Sequence, residues 1–383
     1  MKGTKMTRKL TTAVAAVGVT ALMFSTAACN SSRDGGSESS SGASGAAAKF
    51  DKSSLIGISM PTKSLERWNR DGAHLQDKLK SLGYTKTSLQ YADNKTDQQS
   101  SQIQNMINQG AKIVVIAAID GTALTPVLQT AATKGVKVIA YDRLINGSKN
   151  VDYYATFDNY KVGQLQGNFI KDKIGTNKVN LEPFAGSPDD NNAKFFFSGA
   201  WDVLSPLVKS GQITVPSGKA PKNNDDWKSI GIQGWTSDAA QTEMQNRLNS
   251  FYTGGKKVNV VLSPNDSLAL GIAQALAAAG YKAGADYPVL TGQDADLANV
   301  KNIQAGKQSM TVWKDTRALG DQVAKMVDQI ASGGKVDVND EKTYDNGTKV
   351  VPTYLLAPVV VTKDDIKTKL VDSGFYKASE LGM

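Results

Sequence analysis

The sequence predicts an α/β protein made of two doubly wound, Rossmann-like parallel-sheet domains, on three observations. The chain has 383 residues, more than one ordinary core organises and suited to two domains of common size. From about residue 50, short Val/Ile-rich runs alternate with segments of helical length, as expected for strands buried on both faces beneath helices. Near Val179 this βα pattern starts again, so the chain carries two such arrays.

The amino terminus stands apart from both arrays. Lys2, Lys5, Arg8 and Lys9 precede an uncharged run of apolar and small residues over 10–28. That run ends Ser25-Thr26-Ala27-Ala28 and meets Cys29, the only cysteine. This is the layout of an export signal, so residues 1–28 are expected to be removed. It resembles a bacterial lipoprotein signal, which implies lipidation of Cys29 and attachment to the outer face of the cytoplasmic membrane. Residues 30–48 (NSSRDGGSESSSGASGAAA) are low-complexity Ser/Gly/Ala, which makes 29–48 a flexible tether.

In the first array, strands are expected at 55–60 (LIGISM), 88–91, 113–118 (IVVIAA) and 136–141 (VKVIAY). Helices are expected at 65–82, 96–109 and 122–134, the second presenting Ile103, Met106 and Ile107 as one face. Gly83, Gly110 and Gly135 fall where helix C-caps belong. The second array places strands at 179–184, 229–233, 258–262 and 288–291, with helices at 160–173, 194–210, 239–253 and 267–279. A further βα stretch covers 294–333, and a single strand over 354–361 closes the fold.

Composition excludes several functions. The chain is 40% hydrophobic and 21% charged, and beyond residue 28 no run reaches the ~18 apolar residues of a membrane-spanning helix. The net charge of +8 falls to +4 without the leader's four basic residues, and no basic stripe suits nucleic acid. The single histidine, His74, lies inside the first helical stretch as a packing or surface residue. One histidine and one cysteine cannot build the common metal clusters or Cys/His and Ser/His systems, and no phosphate-binding GxxxxGK[ST] loop occurs. Neither metal nor cofactor is expected.

The segments just past the strands are the most informative, because open parallel sheets bind ligands beyond the carboxyl ends of their strands. LIGISM leads into PTKSLERW, IVVIAA into ID, and VKVIA into YDR. Further on, VVL leads into SPND, PVL into TGQDAD, and SMTVW into KDT. Carboxylates, amides and guanidinium groups placed in this way suit the neighbouring hydroxyls of a sugar. Flat aromatic surfaces suit the C–H face of a pyranose, and Trp68, Phe195 or a neighbour in 195–197, and Trp235 are the candidates. Paired carboxylates such as Asp120, Asp266 and Asp294 could instead make a glycoside hydrolase. Lys63, Arg67, Arg143 and Lys314 would keep them ionised, which favours binding over catalysis.

The stretches SMPTKSLERW, IAAIDG, VIAYDRLI, VDYYATFDN, GSPDDNNAKFFF, SPND, TGQDAD, WKDTRALG and KTYDNGTKVVPTYLL resemble those of type I periplasmic sugar-binding proteins, above all the xylose-binding and multiple-monosaccharide-binding receptors. The resemblance covers nearly all of 55–381. It implies a monomeric clamp with a three-crossing hinge that holds one monosaccharide and docks on the permease subunits of an ABC importer. The domains implied are 50–156 with 292–350, and 157–291 with 351–383, crossing near 156–158, 291–293 and 350–353. The ligand set implied is Arg67, Trp68, Asp120, Asp142, Arg143, Asn192, one ring of 195–197, Asp266, Asp294 and Lys314. Lys63, Trp235 and Asn265 join it from their positions at strand edges. The same clamp could serve as a sugar sensor for a membrane kinase, and the two arginines could admit an acidic sugar.

Overall fold

The structure, a computed structural model, describes residues 49–284 and 286–383. The expected signal over 1–28, the tether over 29–48 and Cys29 within it lie outside the described residues.

The first half alternates β1 (Ile56–Met60), α1 (Glu66–Ser81), β2 (Thr87–Tyr91), α2 (Thr96–Asn108), β3 (Ile113–Ile116), α3 (Thr125–Thr133), β4 (Lys137–Tyr141) and β5 (Tyr153–Phe157). The second contains α4 (Asn159–Ile174), β6 (Val179–Pro183), α5 (Asn191–Lys209), β7 (Ile213–Thr214), α6 (Ser237–Phe251), β8 (Val260–Leu262), α7 (Asp266–Ala278) and β9 (Val289–Leu290). The chain ends with α8 (Leu297–Gln304), β10 (Thr311–Trp313), α9 (Thr316–Ser332), β11 (Thr353–Leu356), β12 (Val359–Val361) and short helical turns.

Two parallel sheets result, six strands in the order β11-β5-β4-β3-β1-β2 and four in the order β7-β6-β8-β9. Burial on both faces is plain in β3. Ile113 and Val115 join the core under α1 and α9, while Val114 and Ile116 join the core under α2 and α3. Each such side chain removed from water contributes about 1.5–3 kcal/mol. Helix α1 buries Arg67, Trp68, Asp71, Gly72, Leu75 and Leu79 along one stripe, so its apolar end anchors it while its first turn carries charge inward. Gly83, Gly110 and Gly135 all have positive φ just past helix ends, a conformation that costs glycine little.

Several expectations need correction. Residues 229–233 form no strand: a helical turn over 224–230 runs into one bridge between Ala185 and Gly231. Gly234 at φ 67° and Trp235 at φ 57° then turn the chain away from extended geometry. The closing strand over 354–361 is two strands, broken at Ala357-Pro358, where proline supplies no N–H for a ladder. β11 runs parallel to β5 and β12 antiparallel to β10. β5 and the two-residue β7 are additions to the expected strands.

Domain assignment shifts with them. Residues 292–313 were expected in the first domain, yet Met310 and Val312 pack in the core of the four-stranded sheet. Backbone bonds explain this: Ser309 N donates to Leu290 O at 2.9 Å and Val312 N to Gly292 O at 3.0 Å. The chain rejoins the first lobe with α9, whose Leu319, Val323 and Val327 enter the six-stranded core. Thr353–Leu356, expected in the second domain, pairs in the first sheet. A small cluster of Ala295, Val300, Ile303, Val361, Ile366, Leu370, Tyr376 and Leu381 joins the returning segment to the carboxyl terminus.

Candidate functional site

The carboxyl ends of both sheets face one space of about 30 Å³, well below the volume of a ligand cavity, so a guest is admitted only when the lobes part or their side chains move. It is lined by Leu65, Arg67, Trp68, Asp142 and Arg143 from the first lobe. Asp190, Asn192, Phe196, Trp235, Asn265, Gln293, Asp294 and Lys314 complete it from the second lobe and the returning segment.

Charge organises the cavity. Arg67 Nη2 donates to Asp71 Oδ2 at 3.0 Å and to Asp142 Oδ1 at 2.9 Å, while Nη1 reaches Asp294 Oδ1 at 3.2 Å. Lys314, 1% exposed, holds its Nζ 3.0 Å from Asp294 Oδ1 and 3.9 Å from Asp142 Oδ1. Burial opposes every one of these charges. At Asp142 the cations Arg67, Lys314 and Arg143 outweigh that burial and keep the carboxyl below the usual carboxylate range. At Asp71 and Asp190 burial prevails over Arg67 and Arg143 respectively, and both carboxyls move up. Arg67 stays firmly charged, because Asp142, Asp71 and Asp294 overcome its desolvation.

Across the cleft, Arg143 Nε lies 3.0 Å from Asp190 Oδ2 while its Nη1 donates to the Ala118 carbonyl at 3.0 Å. Asn192 Nδ2 donates to the Asp142 carbonyl at 2.7 Å, and Tyr154 OH donates to the same oxygen at 2.7 Å. The two lobes are thus joined by charged and neutral bonds at the cavity itself.

Three aromatic rings supply flat surface. Trp68, 1% exposed, has the Arg67 guanidinium 4.5 Å and the Arg143 guanidinium 5.2 Å from its ring centre. Opposite, Trp235 donates its indole N–H to Asp190 Oδ2 at 3.1 Å and meets Phe196 edge-on at 6.3 Å. The Trp235 ring lies so close to Gly186 that a Cβ there would sit 1.9 Å from it. Several buried polar atoms lining the cavity have no hydrogen-bond partner among the described residues: Arg67 Nε, Trp68 Nε1 and Gln293 Oε1. A group left so costs about 1–3 kcal/mol, which a hydroxyl-rich guest would offset.

Backbone strain concentrates here as well. Asp142, Trp235 and Asp294 all have positive φ, at 60°, 57° and 97°, and Ala295 follows at 53°. Such conformations cost about 1–3 kcal/mol and persist where the surroundings fix them, commonly at ligand sites.

Of the residues singled out from sequence, Arg67, Trp68, Asp142, Arg143, Asn192, Trp235, Asn265, Asp294 and Lys314 come together around the cavity. Four do not. Lys63 is exposed, its Nζ 5.1 Å from the Tyr91 ring centre, because it precedes the helix whose next turn faces inward. Asp120 accepts from Thr122 N and Oγ1 at 2.7 Å and shapes its own turn. Phe195 faces Tyr344 at 5.7 Å and packs against the first-lobe core, and Phe196 takes the cavity position one residue later. Asp266 lies behind the wall, its carboxylate accepting from Gln308 Nε2, Thr311 Oγ1 and Asp296 N at 2.8–3.0 Å. Burial, and then the neighbouring Asp296 carboxylate, push its carboxyl well up.

Asp190, Leu65 and Gln293 are additions, and Phe196 is the ring of 195–197 that lines the cavity. Asp190 caps α5, accepting from Asn192 N at 2.9 Å, and the signal for it was an Asp at a helix start. His74 does the packing expected of it, its Nε2 2.9 Å from Asp321 Oδ1 between α1 and α9.

Residues 56–335 match the family described as a periplasmic binding protein domain. The multiple sugar-binding periplasmic protein SbpA of Azospirillum brasilense is 50% identical over 330 residues, 85% of this chain and 90% of the relative. The D-xylose-binding periplasmic protein of Escherichia coli K12 is 38% identical over 326 residues, 85% of this chain and 92% of that one. A crystal structure of an ABC transporter solute-binding protein from Clostridium phytofermentans with bound β-D-glucose superimposes with a TM-score of 0.81. It is 49% identical and spans 85% of this chain and 99% of its own.

Proposed function

Because the chain belongs to the periplasmic binding protein domain family, we propose that it captures a monosaccharide by hinge closure and delivers it to an ABC sugar importer outside the cytoplasm. The ligand class is an aldopentose or aldohexose, such as xylose, arabinose, glucose or galactose. One observation carries this reading: a narrow site between the lobes, lined by Trp68 and Trp235, to which both lobes bring ion-paired, hydrogen-bonding groups. Similarity to receptors for several sugars, for xylose and to a glucose-bound protein supports the sugar class.

Binding rather than turnover is favoured by how the carboxylates are used. Asp142 is held ionised, and Asp190 is already an acceptor for Trp235 and Asn192, so neither is placed as a proton donor to a glycosidic oxygen. Closure is favoured only by contacts the open form lacks, and bonds between lobes such as Asn192 to Asp142 are of that kind. Delivery then needs a permease that reads the closed shape. Attachment to the membrane through a lipid on Cys29, with the chain acting as a monomer, completes the reading.

The test is titration calorimetry of the mature chain with xylose, arabinose, glucose, galactose and glucuronate. Saturable one-to-one binding of at least one neutral aldose is expected, with no release of chromophore from aryl glycosides. Absence of heat with every sugar would remove the capture role. Lipid attachment is read separately, by membrane fractionation of Cys29→Ser against the native chain.

A further inference from the structure

Outside the cavity, one cluster bridges the two lobes without touching it. Arg70 on α1 belongs to the first lobe and is half-buried. Its Nη1 donates to Tyr376 OH and lies 3.2 Å from Glu66 Oε1, while its Nη2 is 3.6 Å from Asp296 Oδ1. Its guanidinium also stands 4.8 Å from the Phe375 ring centre and 5.2 Å from that of Tyr376. Tyr376 OH in turn donates to the Ala295 carbonyl at 2.9 Å. Leu297 N donates to Glu66 Oε2 at 3.3 Å, so Glu66 also reaches across to the start of α8.

Ala295 and Asp296 are anchored on the second-lobe side, and the segment carrying Tyr376 is held from both sides, Arg317 on α9 donating to the Ser373 carbonyl at 3.1 Å. Asp296 N donates to Asp266 Oδ2 at 2.9 Å on α7, and Tyr376 packs with α8 and β12. Both sides of this cluster are also joined to the cavity by short stretches of chain. Arg67, three residues before Arg70 on α1, enters the cavity, and Asp294, two residues before Asp296, accepts from it there. Between the two sites lies the positive-φ pair Asp294-Ala295, held from both sides.

We propose that Glu66 and Arg70, closing on Asp296 and on Tyr376 of the carboxyl-terminal segment, form a latch that sets how long the clamp stays shut. The latch touches no ligand. It stabilises the closed form through aromatic, charged and hydrogen-bonding contacts that separation of the lobes breaks, and so acts on affinity through the closure equilibrium. Arg70 and Tyr376 are positioning residues for the cavity, because they hold the loop that carries Asp294 against the helix that carries Arg67.

This inference rests on the reading of the molecule as a sugar clamp, and the test separates the two. Small-angle scattering of the sugar-free mature chain is compared for wild type, Arg70→Ala and Tyr376→Phe, alongside stopped-flow kinetics with whichever panel sugar binds. A shift toward a larger radius of gyration without sugar is expected in both variants. Sugar dissociation should quicken roughly tenfold for Arg70→Ala, less for Tyr376→Phe, with association within about twofold of wild type. Should Arg70→Ala fail to fold, Tyr376→Phe still reads the latch, since it removes one hydroxyl and keeps the ring. Unchanged scattering together with unchanged dissociation would overturn the latch, as would a lowered unfolding midpoint with dissociation as in wild type. A wild type that binds no sugar would instead refute the clamp reading, while the scattering shift still decides the latch.

Discussion

Asp294 is the residue on which most of the cavity depends. Its carboxylate meets both Arg67 and Lys314, and its backbone is held at φ 97°. Removing one member of a buried ion pair costs about 3–5 kcal/mol, because the partner charge stays behind without compensation. Asp294→Ala should therefore lower the urea-unfolding free energy by about 3 kcal/mol and abolish sugar binding, and Lys314→Met, which keeps the volume but leaves Asp142 and Asp294 short of a cation, should cost at least as much stability. Trp68→Ala should weaken binding by about tenfold or more in calorimetry, since stacking on a flat ring is worth ~0.5–1.5 kcal/mol beyond buried area. At this scale the sequence was legible where a residue directly follows a strand, as with Arg143 or Lys314. It was least legible where helical rotation decides. Phe195 and Phe196 are adjacent and chemically identical, and only the register of α5 sends one to Tyr344 and the other to the cavity. Asp266 shows the converse: an edge carboxylate whose helix start turns it inward, toward Gln308 and Thr311.

At the scale of elements, the packing of α4 on α5 sets where Phe196 and Asn192 stand. Gly163 and Gly199 let the two backbones touch: a Cβ on Gly163 would lie 1.9 Å from Phe196 O, and one on Gly199 2.0 Å from Tyr160 O. Gly163→Ala must push the helices apart, and forced repacking of this kind costs about 1–3 kcal/mol. Because the clash falls on the backbone of Phe196, sugar affinity should drop along with the unfolding midpoint. A variant losing stability alone would mean the cavity does not follow the α4–α5 contact. Long periodic helices and Val/Ile strands such as β1, β3 and β4 could be read directly, since local pattern and burial agree there. The boundaries that escaped reading depend on distant pairing. Whether residues 309–313 joined the first or second lobe was decided by bonds from Ser309 to Leu290 and from Val312 to Gly292, which no local pattern records. The split of 354–361 was signalled by Pro358, but not the opposite directions its two halves take.

For the molecule as a whole, buried carboxylates pull stability in two directions with pH. Asp142 has its folded value lowered by Arg67 and Lys314, so its contribution is present above the unfolded value near ~3.9 and is lost as pH falls through the folded one. Asp296 behaves oppositely: burial, then Asp294 and Glu66, push it up to about 7 despite Arg70 and Arg67. The folded form therefore holds a proton there that the unfolded chain releases near ~3.9, and stability declines as pH rises toward about 7 and levels off above. Urea midpoints should peak on the acid side of neutrality, and Asp296→Asn should flatten the decline between about pH 5 and 8. The cavity's overall charge bears on what the clamp accepts. Arg67, Arg143 and Lys314 face Asp71, Asp142, Asp190 and Asp294, so every cation is already matched and a carboxylate remains in excess. A uronate would bring a further negative charge among these groups with no uncommitted cation to receive it, at about 4 kcal/mol per close like-charged pair for an effective dielectric near ~20. Although two arginines near the cleft suggest room for an acidic sugar, their pairing argues for neutral aldoses. Glucose should bind at least about tenfold more tightly than glucuronate at about pH 7.5, a difference of ~1.4 kcal/mol. Equal affinities would mean that one of the ion pairs opens to admit the acid, and Arg143, whose Nε meets Asp190 without a well-aligned bond, would be the side chain to follow.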